Sequence, residues 1–171
     1  DLALEQSQSP TEIEEITYEL VSLNYLKSQK HSYQNQKQKF IPLTFKTSDG
    51  FTVLVGKNNR QNDEITFKYA TNDDIWFHTK DIPGSHVILK TDKKQISDTS
   101  LTEAAKIAAY FSKAKDSSNI PVDYTFRKFV KKPNKAKPGF VYYEKQTTLY
   151  VTPDKEIVKN YLNNFNNKEK H

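Results

Sequence analysis

The chain has 171 residues, with 26 Lys and Arg against 21 Asp and Glu, and a formal net charge of +5. This length allows one domain with a sizeable core and an appendage, while the lack of cysteine excludes a disulfide framework and thiolate metal sites. No window approaches the roughly 18 apolar residues of a membrane span, and no signal-peptide pattern opens the chain, so we expect a soluble, intracellular protein without membrane insertion.

The acidic N-terminal segment predicts a helix. Residues 1–20 contain six acids and no Lys or Arg, and in SPTE a capping box links Ser9 to Glu12 around Pro10, which suits the first helical position. Apolar residues then follow at coiled-coil-like spacing, at Ile13, Ile16, Leu20 and Leu23. Such a helix could dock on its own domain, but we favour the end of a longer helical arm (1–33). Because the chain starts at Asp1, we expect a fragment.

A linker precedes the main domain. The segment KSQKHSYQNQKQK is rich in Gln, Lys and Ser, which is typical of linkers, and we place the linker at 34–39 and the domain at 40–153. Two β-rich runs then flank Asp49-Gly50, a strong hairpin signal. The polar segment NNRQNDEITFKYA predicts a short helix capped at Asn59 or Asn62. Its predicted inward-facing residues are Ile65, Phe67 and Tyr69.

The segment IWFHTKDIPGSHVILK predicts a second hairpin. Strands are expected at Ile75–Thr79 and from His86 to Lys90. They are joined by a type II turn, in which Pro83 fixes φ at the first central position and Gly84 takes the positive φ of the second, before Ser85. If Thr79 pairs with Ser85, the side chains of Trp76, His78 and His86 all leave the same face of the hairpin.

Three interpretations of this face stay open: a metal or acid–base site, structural polar residues, or a recognition surface. Neither the HxH nor the HExxH spacing occurs, and no nucleophile elbow is present. Four glycines also cannot build a glycine-rich phosphate loop. We therefore favour a recognition surface and expect no catalytic residues, no metal and no cofactor. Exposed imidazoles would make binding of phosphates stronger below about pH 6.5, where histidine protonates.

The second half of the chain predicts a helix followed by strands. The helix should run from Leu101 to Lys115, with Ser100 and Glu103 as a capping box. Its packing face is Leu101, Ala104, Ala105, Ala108 and Phe111. VDYTF predicts a strand, GFVYYEKQTTLYV a final hairpin, and residues 154–171 a frayed or helical tail. The fold class is therefore α+β, with a mostly antiparallel sheet and one main packing helix, preceded by the helical arm.

A basic segment, RKFVKKPNKAK, follows the predicted VDYTF strand and contains no acid. Such a local excess of positive charge attracts polyanions, although Lys-rich loops also occur as solvated surface. Unstacked RNA bases need aromatic or imidazole planes, and phosphates need Lys or Arg. The candidate RNA-binding residues are Arg60, Trp76, His78, His86, Arg127, Lys128, Lys131, Lys132, Lys135 and Lys137, with Pro83, Gly84 and Ser85 as the supporting turn.

Two long segments resemble one known family. VLVGKNNRQNDEITFKYATNDDIWFHTKDIPGSHVIL and PVDYTFRKFVKKPNKAKPGFVYYEKQTTLYVTP are similar to the first and second halves of the NFACT-R domain. IEEITYELVSLNYLK resembles the end of the helical region that precedes it. The chain thus resembles the C-terminal part of the bacterial RqcH family, also described as fibronectin-binding protein A-like or PavA-like.

This resemblance implies two different functions. RqcH-like proteins bind 50S ribosomal subunits obstructed by peptidyl-tRNA and recruit alanyl-tRNA for template-free alanine tailing, which implies a cytoplasmic location. Streptococcal and staphylococcal members are also described as surface proteins that bind fibronectin or fibrinogen, which implies non-classical surface exposure. The basic segment favours RNA over adhesion. An exposed sheet edge would permit adhesion by strand addition, but no motif in the sequence requires it.

Overall fold

The computed structural model describes residues 40–160. The predicted helical arm (1–33), the predicted linker (34–39) and the end of the tail (161–171) lie outside the described residues. Within them, residues 155–160 of the tail are helical. No helix of the described part is long and apolar enough to cross a membrane.

A six-stranded antiparallel sheet forms the centre of the domain. Its strands are β1 (Leu43–Lys46), β2 (Thr52–Val55), β3 (Ile75–Thr79), β4 (Val87–Leu89), β5 (Ile120–Phe126) and β8 (Thr147–Val151). They lie side by side in the order β1-β2-β4-β3-β5-β8, and every neighbouring pair is antiparallel. A separate two-stranded sheet pairs β6 (Val130–Lys131) with β7 (Tyr142–Tyr143).

Two helices flank the large sheet: α1 (Asn59–Glu64), which continues into a π-helical turn at Ile65–Tyr69, and α2 (Asp98–Tyr110). One face of the sheet packs against the alanine-rich side of α2, where small side chains allow close approach. The other face packs against the π-helical turn and the two-stranded sheet, through a second apolar cluster. The predicted α+β class with a mostly antiparallel sheet is therefore confirmed.

Local sequence signals placed the first hairpin correctly. β1 and β2 pair across the predicted Asp49-Gly50 turn, where Gly50 has a φ of +87° and its amide donates to the Thr47 carbonyl at 2.9 Å. The cap of α1 was predicted one residue or more too late. It is Asn58, whose side chain accepts from the Gln61 amide at 2.9 Å. Tyr69 was predicted to face inward but is 40% exposed.

Helix α2 begins and ends earlier than predicted. Its N-cap is Ser97, which accepts from the Ser100 amide, and the predicted capping partner Glu103 instead accepts from the Ser48 amide in the β1–β2 turn at 2.8 Å. At the other end, the Phe111 carbonyl accepts from the Ser85 amide at 3.0 Å. The chain therefore leaves the helix to pair with the turn before β4. The predicted packing face of α2 is confirmed.

The predicted final hairpin is wrong, although both of its strands exist. β7 pairs with β6, through Val130 and Tyr143, whereas β8 joins the large sheet beside β5. The chain turns between the two sheets at Lys145, which has a φ of +58°, and the Thr125 hydroxyl donates to the Glu144 carbonyl at 2.9 Å. This corner lets Tyr143 cover one face of the large sheet.

Candidate nucleic-acid interface

The tryptophan and the two central histidines form one cluster, as predicted. The β3–β4 register pairs Phe77 with Val87, so one residue further along, His78 lies opposite His86. The two imidazole centroids are 5.8 Å apart. The indole of Trp76 is stacked on His78 at 5.8 Å and meets His86 edge-on at 5.2 Å. The predicted neighbourhood of the three rings is confirmed.

The prediction that these rings form an exposed recognition surface is wrong. Trp76, His78 and His86 are 0%, 1% and 0% exposed, because the π-helical turn and β7 cover this face. Tyr143 packs on the indole at a centroid distance of 4.5 Å, and the Thr66 hydroxyl lies 3.1 Å from His86 Nδ1. In this conformation none of the three rings reaches the surface, where RNA could contact it.

Burial also favours the neutral form of the two histidines. Loss of solvent lowers the pKa of His78 to about 4. The same cause, with the neighbouring charges of His78 and Lys132, lowers the pKa of His86 well below its usual value. Both imidazoles are therefore neutral at pH 7 and offer no positive charge to a phosphate.

The turn between β3 and β4 needs its glycine for a reason other than the predicted one. Gly84 does not have a positive φ, so the predicted type II geometry is wrong. A Cβ at this position would lie 3.0 Å from Ser112 Cβ and 3.2 Å from the Phe111 carbonyl oxygen. The Pro83–Ser85 segment therefore packs closely against the chain that leaves α2. The Lys113 amide in that chain donates to the Pro83 carbonyl at 3.0 Å.

This close approach predicts different results for asparagine at two glycines. Gly84→Asn is expected to lower the free energy of unfolding by about 1–3 kcal/mol, because its Cβ would crowd Ser112 and the Phe111 carbonyl and force a backbone shift. Gly50→Asn is the comparison without crowding: its Cβ meets nothing within 4 Å, so its smaller loss reflects only a side chain at a φ of +87°, which asparagine tolerates better than most residues. Urea unfolding of both variants checks this. Equal losses would show that crowding at Gly84 is not the reason for its glycine.

Two members of the predicted basic set anchor the segment rather than face solvent freely. Arg127 Nε donates to the Thr66 carbonyl at 2.7 Å, and its guanidinium lies 4.8 Å from the Phe67 ring centroid. Burial lowers the pKa of Arg127 from its ordinary value. Lys132 Nζ pairs with Asp63 at 2.8 Å and donates to the Lys137 carbonyl at 2.9 Å. These contacts hold the segment against the π-helical turn and α1.

The other four basic residues of this segment are exposed: Lys128, Lys131, Lys135 and Lys137. Arg60 is also exposed, on α1, one turn before Asp63. Their RNA-binding roles stay predictions.

Exposed aromatic rings lie among these lysines. Phe126 is 46% and Tyr142 55% exposed, and Lys128 Nζ lies 5.4 Å from the Phe126 ring centroid and 5.2 Å from that of Phe129. Lys145 Nζ lies 4.6 Å from the same Phe129 ring. We define the aromatic–lysine patch as Phe126, Lys128, Phe129, Lys131, Tyr142 and Lys145.

Sequence reasoning missed the aromatic half of this patch. The available signal was the alternation within the basic segment, in which Val130 is buried while Lys131 is exposed, since strand neighbours point to opposite sides. Tyr142 pairs with Lys131 across β6–β7 and so shares its side. Lysines attract phosphates, and aromatic rings stack on bases. The patch therefore has both groups that single-stranded or looped nucleic acid requires.

The described residues offer little for metal chemistry. No group of three or more His, Asp or Glu side chains in residues 40–160 could hold a metal ion.

The sequence of this chain is similar to those of proteins with an RNA binding domain. The model of the NFACT protein RNA binding domain matches residues 41–145. The Rqc2 homolog RqcH of Bacillus subtilis is 52% identical over 154 residues, which are 89% of this chain and 27% of that protein. The Rqc2 homolog RqcH of Streptococcus suis is 49% identical over 152 residues, 88% of this chain and 27% of that protein.

A solved structure shows the same fold. The C-terminal part of the fibronectin/fibrinogen-binding protein of Streptococcus suis superimposes with a TM-score of 0.72 and 46% identity, covering 90% of this chain and 61% of that one. This chain thus spans about a quarter of the length of the curated relatives it matches. The family match covers most of the described residues and includes the buried ring cluster and the aromatic–lysine patch. The chain therefore belongs to the NFACT family, as a member with the RNA binding domain.

Proposed function

We propose that this domain is the RNA-contacting module of a ribosome quality-control factor. In the proposed function, the whole protein binds 50S subunits obstructed by peptidyl-tRNA and recruits alanyl-tRNA for template-free alanine tailing in the cytoplasm. The family match and the two RqcH relatives support a role in ribosome quality control. We expect the domain to contribute binding without catalysis, and its two central histidines are buried.

The observation that carries this proposal is the aromatic–lysine patch. Exposed aromatic residues on a domain surface are usually covered by a partner when they cluster, and here lysine ammonium groups lie within 4.6–5.4 Å of the ring centroids. The ammonium groups suit phosphates, and the ring faces suit bases that are not paired. Structured RNA with loops offers both at once, which a duplex without loops does not.

Replacing Lys131 and Lys135 with alanine is expected to weaken RNA binding without unfolding the domain. Both side chains are exposed, and each phosphate that is no longer neutralised should flatten the log–log salt slope by about one unit. The wild-type slope should be about −3 to −5 for roughly four to six neutralised phosphates. The measurement is a titration of purified 50S subunits and of tRNA across salt, by fluorescence anisotropy.

The matched control is the Lys80→Ala, Lys115→Ala variant. Both lysines are also exposed, but they lie towards the other end of β5. It removes the same charge and should leave the slope nearly unchanged. Lys132→Ala is a different test, because Lys132 holds the segment through Asp63 and its replacement should reduce thermal stability. Equal slopes for the wild type and the Lys131→Ala, Lys135→Ala variant would contradict phosphate binding by Lys131 of the patch and by Lys135.

A second candidate function is binding of fibronectin or fibrinogen. The solved structure of similar fold belongs to a fibronectin/fibrinogen-binding protein, and β1 and β8 are the outer strands of the described sheet. An outer strand can add a peptide strand through its free backbone groups. Titrating fibronectin in parallel separates the two functions, because strand addition depends weakly on salt whereas phosphate binding depends on it strongly.

A further inference from the structure

A groove of about 570 Å³ lies on the α2 side of the sheet, beside the aromatic–lysine patch. Its apolar walls come from β3, β5 and the segment that leads into α2, and its rim is polar. Its lining includes Asp73, Thr91, Lys93, Lys94, Tyr124 and Phe126. Phe126 belongs both to the groove and to the patch, so the two features form one continuous surface.

The two lysines of the rim are held by a turn that their sequence disfavours. Asp92 and Lys93 have φ values of +51° and +60°, in the left-handed region that residues other than glycine avoid at a cost of about 1–2 kcal/mol each. The Lys94 amide donates to the Thr91 carbonyl at 2.9 Å and closes the turn. Strain of this kind persists only where the surrounding structure imposes it, and it is concentrated at functional sites.

The buried carboxylate of Asp74 anchors the residue at which this turn begins. It is 1% exposed and accepts from the Thr91 amide at 2.9 Å and from the Thr71 amide at 2.8 Å. Lys90 Nζ pairs with it at 2.7 Å. Asp74 thus anchors the Thr91 end of the rim, and Lys93 and Lys94 follow it along the groove.

We propose that this groove binds one unpaired RNA base, with the adjoining phosphates on Lys93 and Lys94. This subsite rests on the proposed function and adds to it a position for a base that has left its stack. The aromatic residues of the lining, Tyr124 and Phe126, suit a base, because every base has a face that stacks on aromatic rings. The single carboxylate of the lining, Asp73, can accept from an exocyclic amino group.

Charge favours nucleic acid over an apolar peptide as the occupant. Lys93 and Lys94 are both exposed, and Lys128 of the patch lies 5.4 Å from the ring centroid of Phe126 at the mouth of the groove. An RNA strand that passes from the patch into the groove would therefore meet Lys128 at the mouth, and then Lys93 and Lys94 beside the bound base. A purely apolar peptide would leave these ammonium groups without a partner of opposite charge.

The test uses the full chain and two RNA probes of equal strand length: a short oligoadenylate carrying 2-aminopurine, and a blunt duplex. Phe126→Leu should weaken binding of the single strand by about 5- to 150-fold, the range expected when one base stack is removed. It should also abolish quenching of 2-aminopurine on binding. The duplex should be much less affected, because its bases remain paired. Matching urea midpoints establish that the variant is folded.

The paired variant Lys93→Ala, Lys94→Ala should flatten the salt slope for the single strand by about 1.4, at roughly 0.7 per phosphate contact. The Lys80→Ala, Lys115→Ala variant is the control for removal of charge alone. Equal effects on strand and duplex, or no effect on the strand, would overturn the subsite. If the groove variants lose fibronectin and keep RNA, the groove binds peptide and the proposal is wrong. Failure of the wild type to bind 50S subunits or tRNA would instead overturn the proposed function.

Discussion

Trp76→Ala is expected to lower the free energy of unfolding by about 3–5 kcal/mol, the usual loss when a buried large aromatic side chain is truncated. The indole is 0% exposed and packs against Tyr143, His78 and His86. It lies between the large sheet and its cover, so the cavity cannot close unless the small sheet moves. Urea unfolding followed by far-UV circular dichroism measures the loss, since the variant has no tryptophan fluorescence.

Phe126→Ala is the matched control, because it also truncates an aromatic side chain on a strand, but at a position that is 46% exposed. Its free energy of unfolding should change by well under the Trp76→Ala value, as is usual for surface positions. Trp76→Ala should therefore lose stability, whereas Phe126→Ala should remain folded, so that a loss of RNA binding in Phe126→Ala would not result from unfolding. A small loss for Trp76→Ala, equal to that of Phe126→Ala, would show that the indole is not part of the core.

Features encoded by neighbouring residues could be predicted from the sequence. The Asp49-Gly50 turn, the strand at VDYTF and the alanine face of α2 all follow from local turn chemistry and periodicity. The neighbourhood of His78 and His86 was predictable for the same reason, because a short turn fixes the register of a hairpin. The start of α2 was missed by three residues, because Ser97 and Ser100 are both acceptable caps and only the contact of Glu103 with Ser48 distinguishes them.

Features that depend on distant segments could not be predicted. All five residues of β3 are buried, so both faces of this strand are covered, and the alternation of side chains could not show which face meets water. The cover of the Trp76 face comes from the π-helical turn and from β7, and β7 is distant in sequence. The prediction of the candidate site was wrong for the same reason: the rings predicted to bind RNA are part of the core, whereas Phe126 and Tyr142 are exposed.

The sequence also could not show that the basic segment has two kinds of lysine. Lys131 and Lys132 are adjacent, yet one is exposed and the other is bound to Asp63. Asp63 lies far earlier in the chain, and the Gly139 amide donates to the same carboxylate at 3.0 Å. Only the folded arrangement distinguishes the lysine that can release counterions from the one that fixes the loop.

Acidification below pH 6.5 is expected to lower the free energy of unfolding of the domain strongly. Exposed imidazoles would instead have strengthened RNA binding at the same pH. Burial lowers the pKa of His78 to about 4 and that of His86 well below its usual value. Across the β3–β5 pairing, the carboxylate of Asp123 lies opposite His78 and raises the pKa of His78, but this effect is smaller than that of desolvation. Lys132 acts on His86 in the same direction as burial.

The sign follows from proton binding in the two states. The unfolded chain takes up a proton on each histidine near pH 6.5, whereas the folded domain resists protonation, so the unfolded state holds more protons between about pH 6.5 and 4. Stability is therefore complete above pH 6.5 and is lost as the pH falls. A buried histidine contributes about 1 kcal/mol per pH unit while its folded form stays unprotonated. The lowering of the His78 pKa to about 4 corresponds to about 3 kcal/mol in total, and His86 acts in the same direction.

Urea unfolding between pH 7.5 and about 4.5 tests this expectation, with the window set by the histidine pKa values. His78→Leu removes one of the two buried histidines and should reduce the slope between pH 6 and 5 by about 1 kcal/mol per pH unit. Its stability at pH 7 is a separate quantity, which also includes any change in packing against Trp76. Because the comparison concerns slopes, it holds even if the variant is less stable throughout. A wild-type slope near zero, or the same slope in both proteins, would show that the imidazoles reach solvent and that the cover over this face opens in the folded state.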